Sequence, residues 1–574
     1  MRRRRLLLAA GVLLLLWVAA SAFLLLRAAG DLRAGRDAAE RARDDLDARA
    51  VAAGTPLEPL REAERRFARA ESTTGGLLLA PVRLLPVVGR QLRSVHALSG
   101  AAGEVAAAGA EAVDRAQAVL DDPAAGGPAR VTQVRLIRDT VRRASERIAA
   151  VDDLGPRVGL VGPLAEARND LAEELDDARR SLADATAGAE AALRLVEGPR
   201  RYLLVAANNA EMRSGSGMWL SGGLLTTAAG RIDLGDVTPL YLDADPPDDA
   251  VEITDADLAG RWGWMNPQRE WRSLMGSPRL APSAELAVRM WEAAGREPVS
   301  GVLVVDPVAL AAIVRATGEV AVGDRTVSAD EVPALLLNEQ YADFDTEGDQ
   351  GARREALGAI ASAAFEALDE GDWSPAVLLE ELAAAVRGRH LLAWSTDPVE
   401  QAGWEAAGMD GALTPDSLMV SVVNRGGNKL DWFLDVDVAL TREGDDVEVR
   451  VDLANRAVPG LPAYVAGPHP DLRGELGYGD YKGVVALTLP GDATGAAVDG
   501  SRTVSVRGAD GPAQVLGLQV VVPAGEARSV SFRFRRTTPA RPLRVEPSAR
   551  FPTTTWTAGD RSWDDDEPVV LPPG

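Results

Sequence analysis

Tyr202-Leu203-Leu204-Val205-Ala206-Ala207 is a short apolar run suited to a buried strand. The polar, glycine-rich stretch Asn208-Asn209-Ala210-Glu211-Met212-Arg213-Ser214-Gly215-Ser216-Gly217 follows it directly. Further strands are expected over residues 220–227 and 231–237. A strand entering a glycine-rich loop suggests a phosphate cradle. This loop leads into strand rather than helix, however, and matches neither GxGxxG nor a Walker A pattern, which disfavours a nucleotide fold. Downstream, 283–295 reads as helix and 301–306 as a buried strand, and Pro307 opens a helix over 308–317. Residues 352–370 form another, with Arg353 and Arg354 in its first turn. Alternating β and α segments of this length predict an α/β domain over residues 199–400.

On the C-terminal side the texture turns all-β. Residues 417–423, 432–441, 446–453, 484–489, 515–522 and 527–535 alternate or run apolar at strand length between turn residues. A β-sandwich over 413–545 is expected. The acidic, proline-ended remainder, 546–574, reads as a disordered tail.

On the N-terminal side, residues 31–198 read as a helical stalk or bundle. Val131, Val134, Ile137, Val141, Ile148 and Val151 fall at helical steps, and Leu164, Leu171, Leu175 and Leu182 repeat the seam, as in a coiled coil. The expected role is mechanical, holding the next domain away from a membrane. That membrane is implied by residues 1–30. Arg2–Arg5 precede an uninterrupted apolar stretch from Leu6 to Leu26, which at 1.5 Å per residue spans about 30 Å, the thickness of a bilayer's hydrocarbon core. A cleaved signal peptide is the competing reading, but its apolar region is normally about 7–15 residues. An uncleaved anchor, with the arginines cytoplasmic and the bulk of the chain extracytoplasmic, is preferred. Residues 77–88 do not span, being interrupted by Pro81, Arg83 and Pro86. The fold class is therefore multidomain α+β: transmembrane helix, helical stalk, α/β domain and β-sandwich.

Composition narrows the chemistry. The 574 residues are 46% hydrophobic and 26% charged, which is ordinary for a folded chain. A net charge of −23 argues against a nucleic-acid binder, whose affinity comes from neutralising phosphates. The absence of cysteine excludes thiol nucleophiles, disulfides and cysteine-ligated metals. The three histidines, His96, His390 and His469, lie far apart and form no HExxH pair. Basic residues are almost all arginine, the better residue for forked binding of an anion.

Several motifs together carry a family resemblance. Arg201-Tyr202-Leu203-Leu204, Asn208-Asn209-Ala210-Glu211-Met212-Arg213, Gly222-Gly223-Leu224-Leu225-Thr226, Val304-Val305-Asp306-Pro307 and Asn428-Lys429-Leu430-Asp431 resemble the signature of a bacterial envelope family catalogued as domain of unknown function 4012. The resemblance extends into the stalk at Leu85-Pro86-Val87-Val88-Gly89 and carries no activity with it. More distantly, residues 301–322 resemble part of the LytR-CpsA-Psr proteins, which transfer glycopolymers from polyprenyl-pyrophosphate carriers onto peptidoglycan. That resemblance implies an arginine-lined pyrophosphate site and an aspartate-held magnesium ion. Arg213 stands where that family carries an arginine after its first strand, and Arg353 and Arg354 resemble its late arginine motif. Its arginine-serine-aspartate-threonine, proline-arginine-aspartate and paired-arginine motifs are missing here.

The candidate residues follow with their plainer alternatives. Arg213, Arg353 and Arg354 are expected to converge on phosphate; Arg213 alternatively pairs with Glu211 or caps the sheet. Asp236, Asp243 and Asp245 either hold magnesium through oxygen ligands or form a solvated acidic loop. Trp262, Trp264, Trp271 and Trp291 either stack on sugar rings or pack the core. Asn428, Lys429 and Asp431 suit a hairpin or domain junction, His390 is an ordinary partly buried histidine, and Asn208, Asn209, Glu211 and Asp306 are motif residues without an assigned role. Two functions are expected. One is a membrane-anchored protein that binds, and in the enzymatic version transfers, a polyprenyl-phosphate-linked glycopolymer to the cell wall. The other is a non-catalytic envelope scaffold.

Overall fold

The computed structural model describes residues 2–44, 46–247, 250–343, 350–499 and 504–573, and their side chains except at 2–11, 342, 343 and 350–357. The chain is a multidomain α+β protein that divides into two compact units: residues 1–123, 132–190 and 374–376, and residues 124–131, 191–373 and 377–574.

The first unit is helical. Its N-terminal helix, Arg2–Asp44, is the one helix among the described residues long and apolar enough to cross a membrane. Leu13, Leu15, Phe23 and Leu26 are each more than 60% exposed on it, an arrangement that water would penalise and lipid would not. Past the apolar run, the same helix packs against Leu57–Gly75, which also packs against Val88–Leu120. The seam is built from Ala38, Ala63, Phe67 and Ala106, small residues that let the helices approach closely around one aromatic ring. Ion pairs Arg66–Asp31 (3.2 Å) and Arg41–Glu62 (3.1 Å) flank it. The apolar periodicity read from the sequence lies in a neighbouring cluster, where Ile148, Val151, Leu171, Leu175 and Leu182 meet Ala108.

Among the described residues, the second unit holds three six-stranded sheets. The first uses β1 (Arg200–Met212), β2 (Gly217–Ala228), β3 (Arg231–Leu234), β4 (Thr238–Pro239), β5 (Gly301–Val305) and β8 (Leu391–Ser395), in the order β3-β2-β1-β5-β8 with β4 on β2. β6 (Val320–Val322) and β7 (Arg325–Val327) form a separate hairpin. β1 and β5 run parallel, pairing Leu204 with Leu303 and Ala206 with Val305, while β2 and β8 are antiparallel to them. After β5, Asp306 caps the helix Pro307–Thr317 and Pro307 fills its first position, so the chain turns sharply at the end of the parallel pair.

The other two sheets come from the C-terminal third. One orders β13 (Ala493–Val498), β16 (Ala527–Arg536), β11 (Asp446–Asn455), β10 (Leu434–Glu443), β18 (Thr555–Ala558) and β19 (Arg561–Asp564). The other orders β14 (Val506–Asp510), β15 (Ala513–Val522), β12 (Tyr481–Leu489), β9 (Ser417–Asn424), β17 (Leu543–Val545) and β20 (Val569–Leu571). Val420, Val422, Val485 and Leu487 of one sheet and Val436, Val449, Val451 and Phe532 of the other share a core. Along β11, Val447, Val449, Val451 and Leu453 point inward while Glu448 and Arg450 do not, the two-residue period of a half-buried strand. β9 is buried throughout, because Val423 on its other face joins Val484 and Ala486 in a core with Leu203, Val205 and Trp219 of the first sheet. The α/β segment and the C-terminal sheets therefore share apolar contacts within one unit.

The expected disordered tail, 546–574, is corrected. It carries β18, β19 and β20, and Trp556 is fully buried. β18 lies parallel to β10 and β20 antiparallel to β17, so backbone pairing satisfies a stretch that composition alone makes look unfoldable.

Candidate functional site

The motif residues gather where β1 leaves the first sheet. β1 continues past the apolar run through Asn208-Asn209-Ala210-Glu211-Met212, and the expected loop shrinks to Arg213–Ser216. Every residue from Glu211 to Trp219 is buried. Gly217 permits the turn: a Cβ there would lie 2.3 Å from the carbonyl carbon of Asn208. The loop is pinned to a neighbouring segment by Ser214 N–H donating to the Met275 carbonyl (3.0 Å). It is packed interior, without the open backbone amides of a phosphate cradle.

Arg213 is spent inside this packing. Its guanidinium donates to the carbonyls of Arg272 (2.7 Å), Met212 (2.9 Å) and Asn424 (3.1 Å). Burial, with Arg425 nearby adding repulsion, pushes it down to about 10, still charged at neutral pH. Asp431 supplies the compensating charge. Its carboxylate accepts from Met212 N–H (3.0 Å), Asn424 Nδ2 (2.8 Å), the Tyr481 hydroxyl (2.9 Å) and Arg550 Nη1 (3.0 Å). Burial nevertheless raises Asp431 above the ordinary carboxylate range, opposed chiefly by Arg550. Beside it, Lys429 pairs with Glu211, both buried, and its ammonium sits 5.1 Å from the centre of the Tyr464 ring. Desolvation pushes Lys429 down to about 7.

A second cluster joins the same strand to the helix after β5. Asp306 Oδ1 accepts from the backbone N–H of Val308 (2.9 Å) and Ala309 (3.0 Å). Its Oδ2 accepts from Asn209 Nδ2 (2.8 Å) and His390 Nδ1 (2.6 Å). Asn209 also donates to the Ala549 carbonyl (2.6 Å), bringing in the C-terminal segment. Sequence reasoning missed Arg550, Tyr481 and Asn424; Arg550 and Tyr481 meet Asp431 from 119 and 50 positions away, which no local pattern marks.

Next to this cluster lies a cavity of about 130 Å³. Leu204, Ala206 and Val305 line it from the sheet, Leu310 and Leu336 from helical segments, and Gly358, Ala361 and Phe365 from the helix Gln350–Glu370. Its position at the carboxyl ends of the parallel strands β1 and β5 is the usual place for a ligand in such sheets. Polar atoms enter from Asn208, Asp306, Gln340, Tyr341 and Tyr241. Gln340 is 5% exposed, and its Oε1 has no hydrogen-bond partner among the described residues. Arg272 lies 5.1 Å from the ring centre of Tyr241, behind one aromatic wall, and Lys429 lies behind another, Tyr464.

The remaining expectations are placed as follows. Arg353 and Arg354 lie on the helix Gln350–Glu370, with side chains outside the described residues. Asp236, Asp243 and Asp245 are exposed, and no group of three or more histidines and carboxylates able to hold a metal occurs among the described residues. Trp262, Trp271 and Trp291 are buried in the core, whereas Trp264 is exposed and carries Arg425 5.0 Å from its ring centre. Asn428 donates to the Asp480 carbonyl (3.1 Å), holding the junction between β9 and the short turn Leu430–Phe433.

No curated protein and no solved structure matches the chain. Residues 197–341, the stretch that supplies β1, the buried loop, β5 and much of the cavity wall, match the model of Protein of unknown function (DUF4012).

Proposed function

We propose that this is a membrane-anchored envelope protein that binds a polyprenyl-(pyro)phosphate-linked glycopolymer, taking an end of its apolar chain into the α/β layer. The cavity between β1, β5 and the helix Gln350–Glu370 carries the reading. A dry cavity of comparable size holds a benzene-sized group, about the bulk of one isoprene unit, so this one suits a chain end rather than a whole polyprenyl tail. Arg354 occupies the register position one turn before Gly358, and with Arg353 it is the assigned anchor for the phosphate. Arg2–Arg5 before the apolar run support a cytoplasmic N-terminus and an extracytoplasmic bulk. In this reading the first sheet with its helices is a LytR-CpsA-Psr-like domain and the two C-terminal sheets are a β-sandwich.

Binding without transfer is favoured over the transferase version by Arg213. A guanidinium committed to three carbonyls has no forked face left for a pyrophosphate.

The test is binding of a short fluorescent isoprenoid phosphate to the full chain in detergent. Gly358→Leu should fill the cavity and weaken binding tenfold or more while the thermal midpoint stays within a few degrees. Unchanged affinity in that folded variant would refute the site, and magnesium-dependent transfer of a lipid-linked glycan would restore the enzymatic reading.

A further inference from the structure

We propose that residues 77–88 form a second membrane contact, a re-entrant element lying in lipid beside the anchor helix, in the leaflet from which that helix emerges toward Asp44. The segment comprises the short turns Leu77–Leu79 and Ala80–Arg83 and the approach to the helix starting at Val88. Within these twelve residues Leu77, Leu84 and Val87 are 93%, 85% and 70% exposed, and Leu78, Leu85 and Val88 are exposed as well. A water-facing surface rarely gathers so many large apolar side chains in one place.

The occupant follows from the other side of the segment. Leu79 and Val82 cluster with Leu92 and with Trp17 and Leu24 of the anchor helix, and Trp17 Nε1 donates to the Leu78 carbonyl (2.9 Å). Trp17 stands ten residues before Arg27, so at 1.5 Å per residue it lies about 15 Å into the apolar run, near mid-bilayer. A segment bonded to Trp17 is held alongside the lipid-covered part of that helix.

Part of its backbone is also satisfied internally, which matters in lipid, where each unpaired polar group costs several kcal/mol. Pro81 and Pro86 have no N–H to satisfy. Arg83 Nε donates to the Thr74 carbonyl (3.0 Å), an orphan acceptor at the end of the preceding helix, and Arg93 Nη1 donates to the Arg83 carbonyl (2.7 Å). Gly89 lets the returning helix start close by: a Cβ there would lie 2.2 Å from the Arg83 oxygen. A second apolar tip is tied on, because Arg90 donates to the Val158 carbonyl (3.1 Å) and Gln91 to that of Gly159 (2.8 Å), with Val158 77% exposed.

The inference rests on the anchor helix crossing the bilayer, and the experiment separates the two. The chain has no cysteine, so single spin labels can be placed on the full-length protein in phospholipid nanodiscs at Leu84→Cys and Val87→Cys. Leu15→Cys reports the anchor and Arg142→Cys a solvated helix face. Labels at 84 and 87 should be more accessible to oxygen than to a water-soluble nickel chelate, as at 15 and opposite to 142. If either label matches 142 while 15 stays in lipid, the re-entrant element is refuted and the span survives. A water-accessible label at 15 overturns both.

Discussion

His390 Nδ1 donates to Asp306 Oδ2 at 2.6 Å, and the same oxygen accepts from Asn209, so one carboxylate holds β1, β8 and the start of the helix Pro307–Thr317 together. With both N-cap bonds on Oδ1, Asp306 is saturated by donors. Asp306→Ala should cost more than a cap alone. Losing an N-cap costs about 0.5–2 kcal/mol, and each buried donor left orphaned adds about 1–3 kcal/mol. Urea unfolding should show a loss of about 3 kcal/mol or more, with Asp306→Asn intermediate; a loss below about 1 kcal/mol would mean that Asn209 and His390 find other acceptors.

Arg213→Ala separates a structural role from an anion-binding one. Three carbonyls lose a charged donor in a fully buried place, so stability should fall by about 3–5 kcal/mol, with affinity for an isoprenoid phosphate unchanged in the molecules that remain folded. Arg213→Lys should rescue little, because an ammonium cannot reproduce a planar fork aimed at separate acceptors. Loss of binding at undiminished stability would return Arg213 to the phosphate site.

The contrast between Arg213 and Val449 explains what could be read from sequence. Val447, Val449, Val451 and Leu453 are spaced by two and sit in the core, and Asp306-Pro307 marks a helix start through local chemistry alone. These signals are written within a few residues of the structure they specify. Arg213 depends on Arg272 and Asn424, 59 and 211 positions away, so no local pattern distinguishes a buried clamp from a ligand arginine. β1 likewise runs on through its polar residues only because Lys429, Asp431 and Asp306 arrive from elsewhere. The C-terminal strands looked disordered for the same reason: their partners β10 and β17 lie outside the stretch.

Asp431 and Arg550 should behave as a coupled pair. Both are at most 1% exposed and 3.0 Å apart, and Arg550 also donates to the Leu434 carbonyl (2.7 Å). Removing either partner leaves the other charge buried, at a cost of about 3–5 kcal/mol. Arg550→Met and Asp431→Asn together should cost less than the sum of the singles, by about 1–3 kcal/mol in a double-mutant cycle. Additive losses would show that each answers mainly to its other partners.

Asp565 gives the stability a pH signature. Its carboxyl is buried, and desolvation pushes it up to about 7, opposed by the N–H (2.9 Å) and hydroxyl (2.6 Å) of Ser548. The ordinary value is 3.8, so between about pH 4 and 7 the folded chain binds a proton there that the unfolded chain has released. Stability from this group is therefore fully present below about pH 4 and lost as pH rises through about 7, with a slope of up to about 1.4 kcal/mol per pH unit. Other carboxylates whose folded values are depressed, Asp255 and Glu270 among them, contribute in the opposite sense, so the total curve is not the readout. The readout is the difference between the natural chain and Asp565→Asn, which keeps the size and removes the titration. Urea unfolding of the two at pH 4, 5.5 and 7 should show the natural chain losing ground to the variant at each step. Parallel curves would mean that Asp565 is ionised in the folded state across this range, held by its Ser548 bonds against the cost of burial.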